Sequence, residues 1–322
     1  MGNNSIWKYV AGALGALLVV AVGVGVYREK FALKCNGHRQ LCDRKLNEVA
    51  IPMTHNAMSI ADYDWFAPSH EHSVTNQLES GIRGLMLDTH YWDAAASISS
   101  YFPNASDEQL LKMGEVSDEI GLETREGTYV CHIICQLGYT SLSDTLGEIA
   151  LFLDQNPNEV IVIIFEDKIE VTDTVEVFEE SGLVNYAYEH SGGEWPTLRE
   201  LISTNKRLVA MSESDFPPPY WYSHAWNYTE ETPYSFEDKD NMGCEPNRGE
   251  KGSDFFLLNH WVENFVPKRE DAVEVNQYEF LLERARRCAK ERGFDIPNFV
   301  SVNFSEYGDV VGVTNTLNGL GN

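Results

Sequence analysis

Residues 49–59 read VAIPMTHNAMS, an apolar run that turns abruptly into a histidine and an asparagine. The apolar half is typical of a buried β-strand, and the polar half is typical of the loop that follows one. A histidine beside an amide at a strand end places a proton acceptor next to a neutral oxygen ligand. The pair alone predicts little, because most histidines at strand ends are ordinary hydrogen-bonded or surface residues.

The same pattern recurs along the chain. Further strand-like runs lie at residues 83–90, 129–134, 159–166, 207–212, 255–260 and 298–304. Helical patterns alternate with them, most clearly at residues 141–157 and 276–293. Short apolar strands that alternate with helices predict a mostly parallel sheet covered by helices. About seven such units favour an α/β fold of the distorted TIM-barrel type over a doubly wound sheet.

Two stretches depart from this rhythm, at residues 93–128 and 213–254. The first is long and acidic, and the second is rich in Pro, Tyr, Trp and Gly. We expect both to be loop insertions in a barrel domain that spans residues 49–322. Long loops in compact domains are often lids or substrate-binding loops, and simple decoration is the alternative.

The N-terminal region predicts a membrane segment. Residues 1–8 form a short tail, and residues 9–27 contain no charged side chain. About 19 apolar residues suffice to cross a bilayer core, so this run predicts a transmembrane helix or signal anchor. A cleaved signal peptide is the alternative. Residues 28–48 then form a linker to the barrel.

The six cysteines fall into the pairs Cys35/Cys42, Cys131/Cys135 and Cys244/Cys288. This grouping suits three disulfides in an oxidising compartment. A zinc site is the rival interpretation, but the spacings differ from CxxC. The sequons at Asn104 and Asn227 agree with a secretory route and glycosylation.

The side of the membrane is a conflict within the sequence. Six basic residues follow the apolar run and only Lys8 precedes it, which would leave the barrel in the cytoplasm. The paired cysteines favour the lumenal or extracellular side. We expect a single-pass membrane protein with its barrel on that side, or a secreted protein if the segment is cleaved.

The formal net charge is −26. Such a surface repels nucleic acid, which argues against nucleic-acid binding. It is compatible with cation binding and with high solubility.

The predicted strand ends carry an unusual set of polar residues. In α/β barrels the chemistry lies at the C-terminal ends of the strands. Here those ends carry four histidines, three carboxylates and further polar groups. Together they supply a general base, a general acid and oxygen ligands for a hard cation. The residues are His55, Asn56, Asp88, His90, His132, Glu166, Asp167, Ser212, His260 and Asn303.

Four of these segments resemble a known family. THNAMS, GIRGLMLD, CH at 131–132 and VIVIIFED resemble, in order and spacing, the X-box catalytic region of phosphatidylinositol-specific phospholipase C. CEPNRG at 244–249 and FLLNHW at 256–261 are similar to the small secreted or membrane-bound members. The resemblance covers roughly residues 35–320. It implies a distorted TIM barrel and a phosphoric diester hydrolase that acts on a phospholipid or an inositol or glycerol phosphodiester.

The resemblance also implies roles for single residues. His55 would take the proton from the attacking inositol hydroxyl, and His132 would protonate the leaving glycerol oxygen. In calcium-dependent relatives the positions of Asn56, Asp88 and Glu166 hold the metal, so a divalent cation, Ca²⁺, is the expected cofactor. Substrate-binding candidates are Arg83, His90, Lys168 and His260.

The chain departs from the family at Met86, where calcium-dependent relatives have a glutamate. The metal site would therefore lack one carboxylate, and His90, on the same strand face, would compensate in part. This departure keeps a second hypothesis open, a catalytically silent, membrane-anchored barrel that binds a phosphorylated or lipid ligand. A glycoside hydrolase using Asp88 and Glu166 is a third, but that chemistry has no use for two histidines.

Overall fold

The computed structural model describes residues 33–92, 106, 108–109, 112, 125–132, 134–215, 219–264 and 266–321. The predicted membrane segment at 9–27, the sequon at Asn104 and most of the 93–128 insertion lie outside these ranges. Within the described ranges, no helix combines the length and the apolar character needed to cross a bilayer.

Twelve strands are present in the described part of the chain. They are β1 Ile51–Thr54, β2 Gly84–Trp92, β3 Arg125–Val130, β4 Thr140–Ser141, β5 Ile161–Asp167, β6 Leu208–Ser212, β7 Tyr222–His224, β8 Thr229–Glu231, β9 Phe255–His260, β10 Glu263–Asn264, β11 Val266–Pro267 and β12 Phe299–Val302.

Eight of these strands form one curled parallel sheet. Their order is β7-β6-β5-β2-β1-β12-β9-β8, and every neighbouring pair on this path is parallel. The carboxyl ends of parallel strands lie along one edge, so the polar residues predicted at those ends share one rim, which we call the mouth. The prediction of a parallel, barrel-like α/β fold is confirmed.

Seven α-helices are found in the same residues. They are α1 Val74–Glu79, α2 Leu142–Gln155, α3 Val171–Glu180, α4 Leu198–Ser203, α5 Arg269–Val275, α6 Tyr278–Arg292 and α7 Val310–Leu317. The two longest match the helices predicted from periodicity. The side chain of Ser141 caps the start of α2, and Gly293, with φ of 88°, ends α6 in the left-handed conformation that glycine adopts most easily.

The strand side chains alternate between two apolar layers. Met53, Ile164 and Met211 belong to a cluster inside the curl of the sheet. Leu85 and Phe165 belong to the larger cluster between the sheet and its helices. Because successive strand residues face opposite sides, residues an even number of positions beyond an inner residue also face the inside. His55, Asp88, Glu166 and Glu213 meet this condition at the mouth.

The segment predicted as a strand at 129–134 differs from expectation. The strand is Arg125–Val130, runs antiparallel to β2, and lies off the main path of the sheet. Beyond Val130 the chain enters the loop closed by Cys131–Cys135, whose Cα atoms are only 5.0 Å apart. An extended strand cannot continue through so short a closed loop, so His132 lies after the strand.

Strands β7 and β8 lie in the 213–254 stretch, for which the sequence predicts a loop insertion. Both are three-residue polar runs, YSH and TEE, that hydrophobicity does not reveal. Tyr222 donates a 2.5 Å hydrogen bond to Asp167, which links β7 to β5. Glu230 and Glu231 of β8 are completely buried and ion-paired with Arg292 and Arg248. Their burial therefore depends on distant partners.

All three predicted disulfides are present: Cys35–Cys42, Cys131–Cys135 and Cys244–Cys288. No free cysteine remains among the described residues. The third bridge anchors the loop before β9 to helix α6, across a sequence separation of 44 residues.

Candidate functional site

His55 follows β1 and is held by two side chains. Its Nδ1 lies 2.9 Å from Oδ1 of Asn303, just beyond β12. Its ring stacks on Trp261, with centroids 3.8 Å apart and planes inclined by 5°. Because an amide oxygen only accepts hydrogen bonds, Nδ1 carries the proton. The lone pair is therefore on Nε2, which makes this nitrogen the basic atom of the ring.

The backbone of His55 is fixed as well. Its N–H donates to the carbonyl of Val302 at 3.0 Å. Its carbonyl accepts a 2.8 Å hydrogen bond from Nε2 of His70, whose side chain is fully buried. Bonds to two separate segments leave the imidazole little freedom to move.

Burial lowers the pKa of His55 to about 3, although its hydrogen bond to Asn303 favours the charged form. Positive charge on His132, His70 and Arg248 lowers this pKa further. The ring is therefore neutral near pH 7, as a general base must be before it accepts a proton.

His132 lies close enough to His55 for its positive charge to lower the pKa of His55. It is partly exposed within the Cys131–Cys135 loop. Burial lowers its pKa, and the negative charge of Glu166 opposes this effect. Glu166 thus offsets part of the effect of burial, in the direction of the protonated imidazole that a general acid needs.

The three predicted metal ligands lie close together. Asp88 and Glu166 are directly paired in the β2–β5 register. Asn56 has a left-handed φ of 49°, and its amide nitrogen can donate to both Asp88 oxygens at 3.2 and 3.3 Å. With the amide turned over, the Asn56 oxygen faces the Asp88 carboxylate instead. Two oxygen ligands of one cation would face each other in this way.

Glu166 also forms a 3.1 Å ion pair with Lys168. In the described ranges, no group of three or more His, Cys, Asp or Glu side chains is arranged to hold a metal ion. The oxygen donors present are thus one amide and two carboxylates, one of which is shared with a lysine.

Met86, Asp88 and His90 lie on one face of β2, as predicted. Met86 belongs to the inner apolar cluster and accepts a 3.3 Å hydrogen bond from Oγ of Ser301 to its sulfur. His90 is 1% exposed, and burial lowers its pKa to about 4. The charges of Glu166, Lys168 and His132 all act on this pKa, so His90 lies near these three side chains. This face therefore changes from apolar to ionisable towards the mouth.

Two predicted substrate-binding residues have other surroundings. Arg83 precedes β2 at the opposite end of the sheet, with its Nε 2.7 Å from Glu159. His260 faces the helices: its Nε2 is 2.9 Å from the carbonyl of Val275 and its Nδ1 is 3.1 Å from Arg284. The structure does not bring these two side chains together with His55.

Four residues that contribute to this region have no role predicted from the sequence. Asn303 was only one polar strand end among several, and Glu213 directly follows such an end. Trp261 and Arg248 lie inside the motifs FLLNHW and CEPNRG, whose family resemblance predicts no role for either residue. The presence of Trp and Arg in those motifs could have indicated a role for them. Their partners, His55 for Trp261 and Glu213 for Arg248, are distant in sequence.

The fold is that of the phosphatidylinositol-specific phospholipases C. The chain is similar to a Staphylococcus aureus enzyme of this name that carries a pentafluoro-phenylalanine, with a TM-score of 0.52, 15% identity, and coverage of 87% of this chain and 94% of that one. A second S. aureus structure, from work on modulating membrane binding, gives a TM-score of 0.51 at 16% identity, covering 87% and 95%.

The family model for the PI-PLC X domain matches residues 120–318, and the chain belongs to this family. It is 28% identical over 328 residues to PI-PLC X domain-containing protein 1 of Arthroderma benhamiae, covering 95% of this chain and 96% of the relative. A PI-PLC X domain-containing protein of Arabidopsis thaliana is 29% identical over 300 residues, covering 83% of this chain and 61% of the relative. The X-box resemblance predicted from the motifs is confirmed.

Proposed function

We propose that this protein is a phosphoric diester hydrolase of the phospholipase C type that cleaves a phospholipid or an inositol or glycerol phosphodiester. Family membership supports the reaction class. The observation that carries the proposal is the hydrogen bond from Nδ1 of His55 to Asn303, which leaves Nε2 as the base. His132, whose charge acts on His55, is the second proton-transfer residue.

The proposed reaction uses the two histidines in turn. Nε2 of His55 takes the proton from a substrate hydroxyl or a water molecule as that oxygen bonds to phosphorus. The bond from phosphorus to the leaving oxygen breaks, and His132 donates a proton to that oxygen. Glu166 favours the charged state that His132 needs beforehand.

A divalent cation, Ca²⁺ by its oxygen preference, would be held by Asn56, Asp88 and Glu166. One amide oxygen and two carboxylates fit a weakly held hard cation whose other ligands are water or substrate. When bound, the cation would neutralise charge on the phosphoryl oxygens. His90 and Lys168, both close to Glu166, would adjust the charge of the site.

We further propose that the enzyme acts at a membrane surface in an oxidising compartment, tethered by residues 9–27 or secreted. Three disulfides support the oxidising compartment. Asn227, the second sequon, is exposed and accessible for glycosylation.

A panel of phospholipids and soluble inositol and glycerol phosphodiesters, with and without calcium, tests the proposal. Phosphorus NMR of the products should show a phosphomonoester or a cyclic phosphate at the expense of the diester. Saturable binding of a phosphorylated lipid without turnover of any diester would instead favour the silent barrel.

A further inference from the structure

Arg248, in the CEPNRG segment, is held by two carboxylates at the mouth. Its Nε and Nη2 lie 2.5 and 3.2 Å from the two oxygens of Glu231, and its Nη1 lies 2.5 Å from Glu213. The guanidinium also stacks over Trp226, 4.0 Å from the ring centroid, and lies 4.9 Å from that of Tyr234. These contacts fix the plane and the position of the cation.

The local sequence is built to hold this arginine. The backbone N–H of Glu231 donates to the carbonyl of Arg248 at 3.0 Å, and that of Asn247 donates to the carbonyl of Glu231 at 3.0 Å. Gly249 has φ of 83°, and a Cβ there would lie 1.9 Å from the carbonyl oxygen of Thr229. Asn, Arg and Gly of the motif therefore each attach the loop to β8.

Three connections place Arg248 on the same rim as His55. Glu213 directly follows β6, and Glu231 is the last residue of β8. Glu231 also accepts a 2.9 Å hydrogen bond from Asn259 on β9. Two residues beyond Asn259, the Trp261 ring stacks on His55. The arginine and the general base thus lie on one rim, close enough for the charge of Arg248 to lower the pKa of His55.

The hydrogen-bonding capacity of Arg248 is not exhausted. A guanidinium has five N–H groups. The two carboxylates accept three of them, one from each nitrogen. Nη1 and Nη2 each keep a second N–H, and the side chain is 31% exposed. Two N–H groups on adjacent nitrogens match two oxygens of a phosphoryl group.

We propose that Arg248 binds the anionic phosphoryl group of the substrate, and that Glu213 is the carboxylate that this anion displaces from the arginine. Glu231, fully buried and doubly bonded, keeps the guanidinium in place during the exchange. The inference rests on the proposed phosphodiesterase function and identifies the residue that receives the charged part of the substrate. The proposed role of Arg248 does not depend on whether a cation is bound.

Burial raises the pKa of Glu213 to about 7, against the opposing charge of Arg248. Glu166 and Glu231 raise this pKa as well. A carboxylate that is already crowded by negative charge is the weaker of the two partners of Arg248, so it is the one that an incoming phosphate displaces.

A purely structural clamp is the alternative, and Arg292 offers a matched control. Arg292 forms a 2.9 Å ion pair with Glu230, the residue before Glu231 on β8. Because successive strand residues face opposite sides, this pair lies on the outer side of the sheet. The two arginines hold the same strand, but only Arg248 is placed at the mouth.

The experiment is a titration of the full chain with diethyl phosphate, a monoanion that lacks a neighbouring hydroxyl, at about pH 8, where most of Glu213 is ionised. Wild type, E213Q, R248K and R292K are compared by NMR shift perturbation. E213Q removes the competing charge and should bind several-fold more tightly, while R248K loses the guanidinium fork and should bind roughly tenfold more weakly. R292K should bind as wild type does.

The proposal is overturned if wild type does not bind the anion, or if E213Q binds no more tightly than wild type. E213Q leaves the contact of Arg248 with Glu231 intact, so it decides the matter even if R248K does not fold. In the diester assay, R248K should lower kcat/KM about tenfold relative to R292K. Absence of turnover in wild type, with the predicted binding order preserved, would refute the phosphodiesterase and leave the anion site standing.

Discussion

Replacing Asn303 with aspartate tests how His55 is kept as a neutral base. Oδ1 of Asn303 lies 2.9 Å from Nδ1 of His55, and Asn303 is 3% exposed. Unit charges at that distance attract by roughly 6 kcal/mol at an effective dielectric constant of about 20. The neutral Asn303 oxygen already favours the charged imidazole, and a charge-assisted hydrogen bond is roughly twice as strong as a neutral one, so about half of this attraction is new. This new attraction of ~3 kcal/mol would raise the pKa of His55 by about two units, from about 3 to about 5.

A raised pKa means that the base form is lost earlier as the pH falls. In the N303D variant we therefore expect the acidic limb of the kcat/KM profile to move up by about two pH units. Titration of the ¹⁵N-labelled ring by NMR measures the same shift without a substrate. The exposed Asn185 provides the control, because N185D adds the same charge at the surface. An unchanged titration of His55 in N303D would show that Asn303 does not hold its Nδ1.

Three further outcomes can be measured. Burial lowers the pKa of His260 to about 3, so between pH 6.5 and about 3 only the unfolded chain binds this proton, and His260 alone should lower stability by about 1.4 kcal/mol per pH unit as the pH falls. Urea unfolding of H260Q should therefore show a flatter pH dependence than wild type, and equal slopes would contradict this. G249A, whose Cβ meets the Thr229 carbonyl at 1.9 Å, should cost at least about 3 kcal/mol of unfolding free energy. G252A, with a similar φ of 85° and no atom within 4 Å, should cost only about 1 kcal/mol, and similar losses would refute the steric argument. Chelation should lower activity at least about tenfold and calcium should restore it in wild type but not in D88N; equal rates with and without chelator would rule out the proposed cation.

The sequence revealed those strands whose burial depends on their own apolar side chains. The run EVIVIIFE needs no partner to be recognised as a strand buried on both faces, and β5 lies where it predicts. Strand β8, with the sequence TEE, is equally buried, but it is stabilised by arginines 17 and 62 residues away. No local pattern carries that information, so the sequence alone predicts a loop there.

The same distinction applies to the candidate site. His55, Asp88 and Glu166 could be grouped because parallel strands place their carboxyl ends on one edge. The stacking of Trp261 on His55 and the approach of Arg248 to Glu213 depend on how loops pack across that edge. Arg83 and His260 show the converse, because polar residues near strand ends can also face away from the site.

The proposed acid and base roles are tested most directly by cleavage of two diesters that differ only in the leaving group. One releases a glycerol oxygen, and the other releases nitrophenolate, which departs without a proton. H132A should lose about 10²- to 10⁴-fold in kcat on the first and little on the second, whereas H55A should lose activity on both. The exposed His72, changed in H72A, is the control. Equal losses of H132A on both diesters, or full activity in H55A, would contradict the assignment.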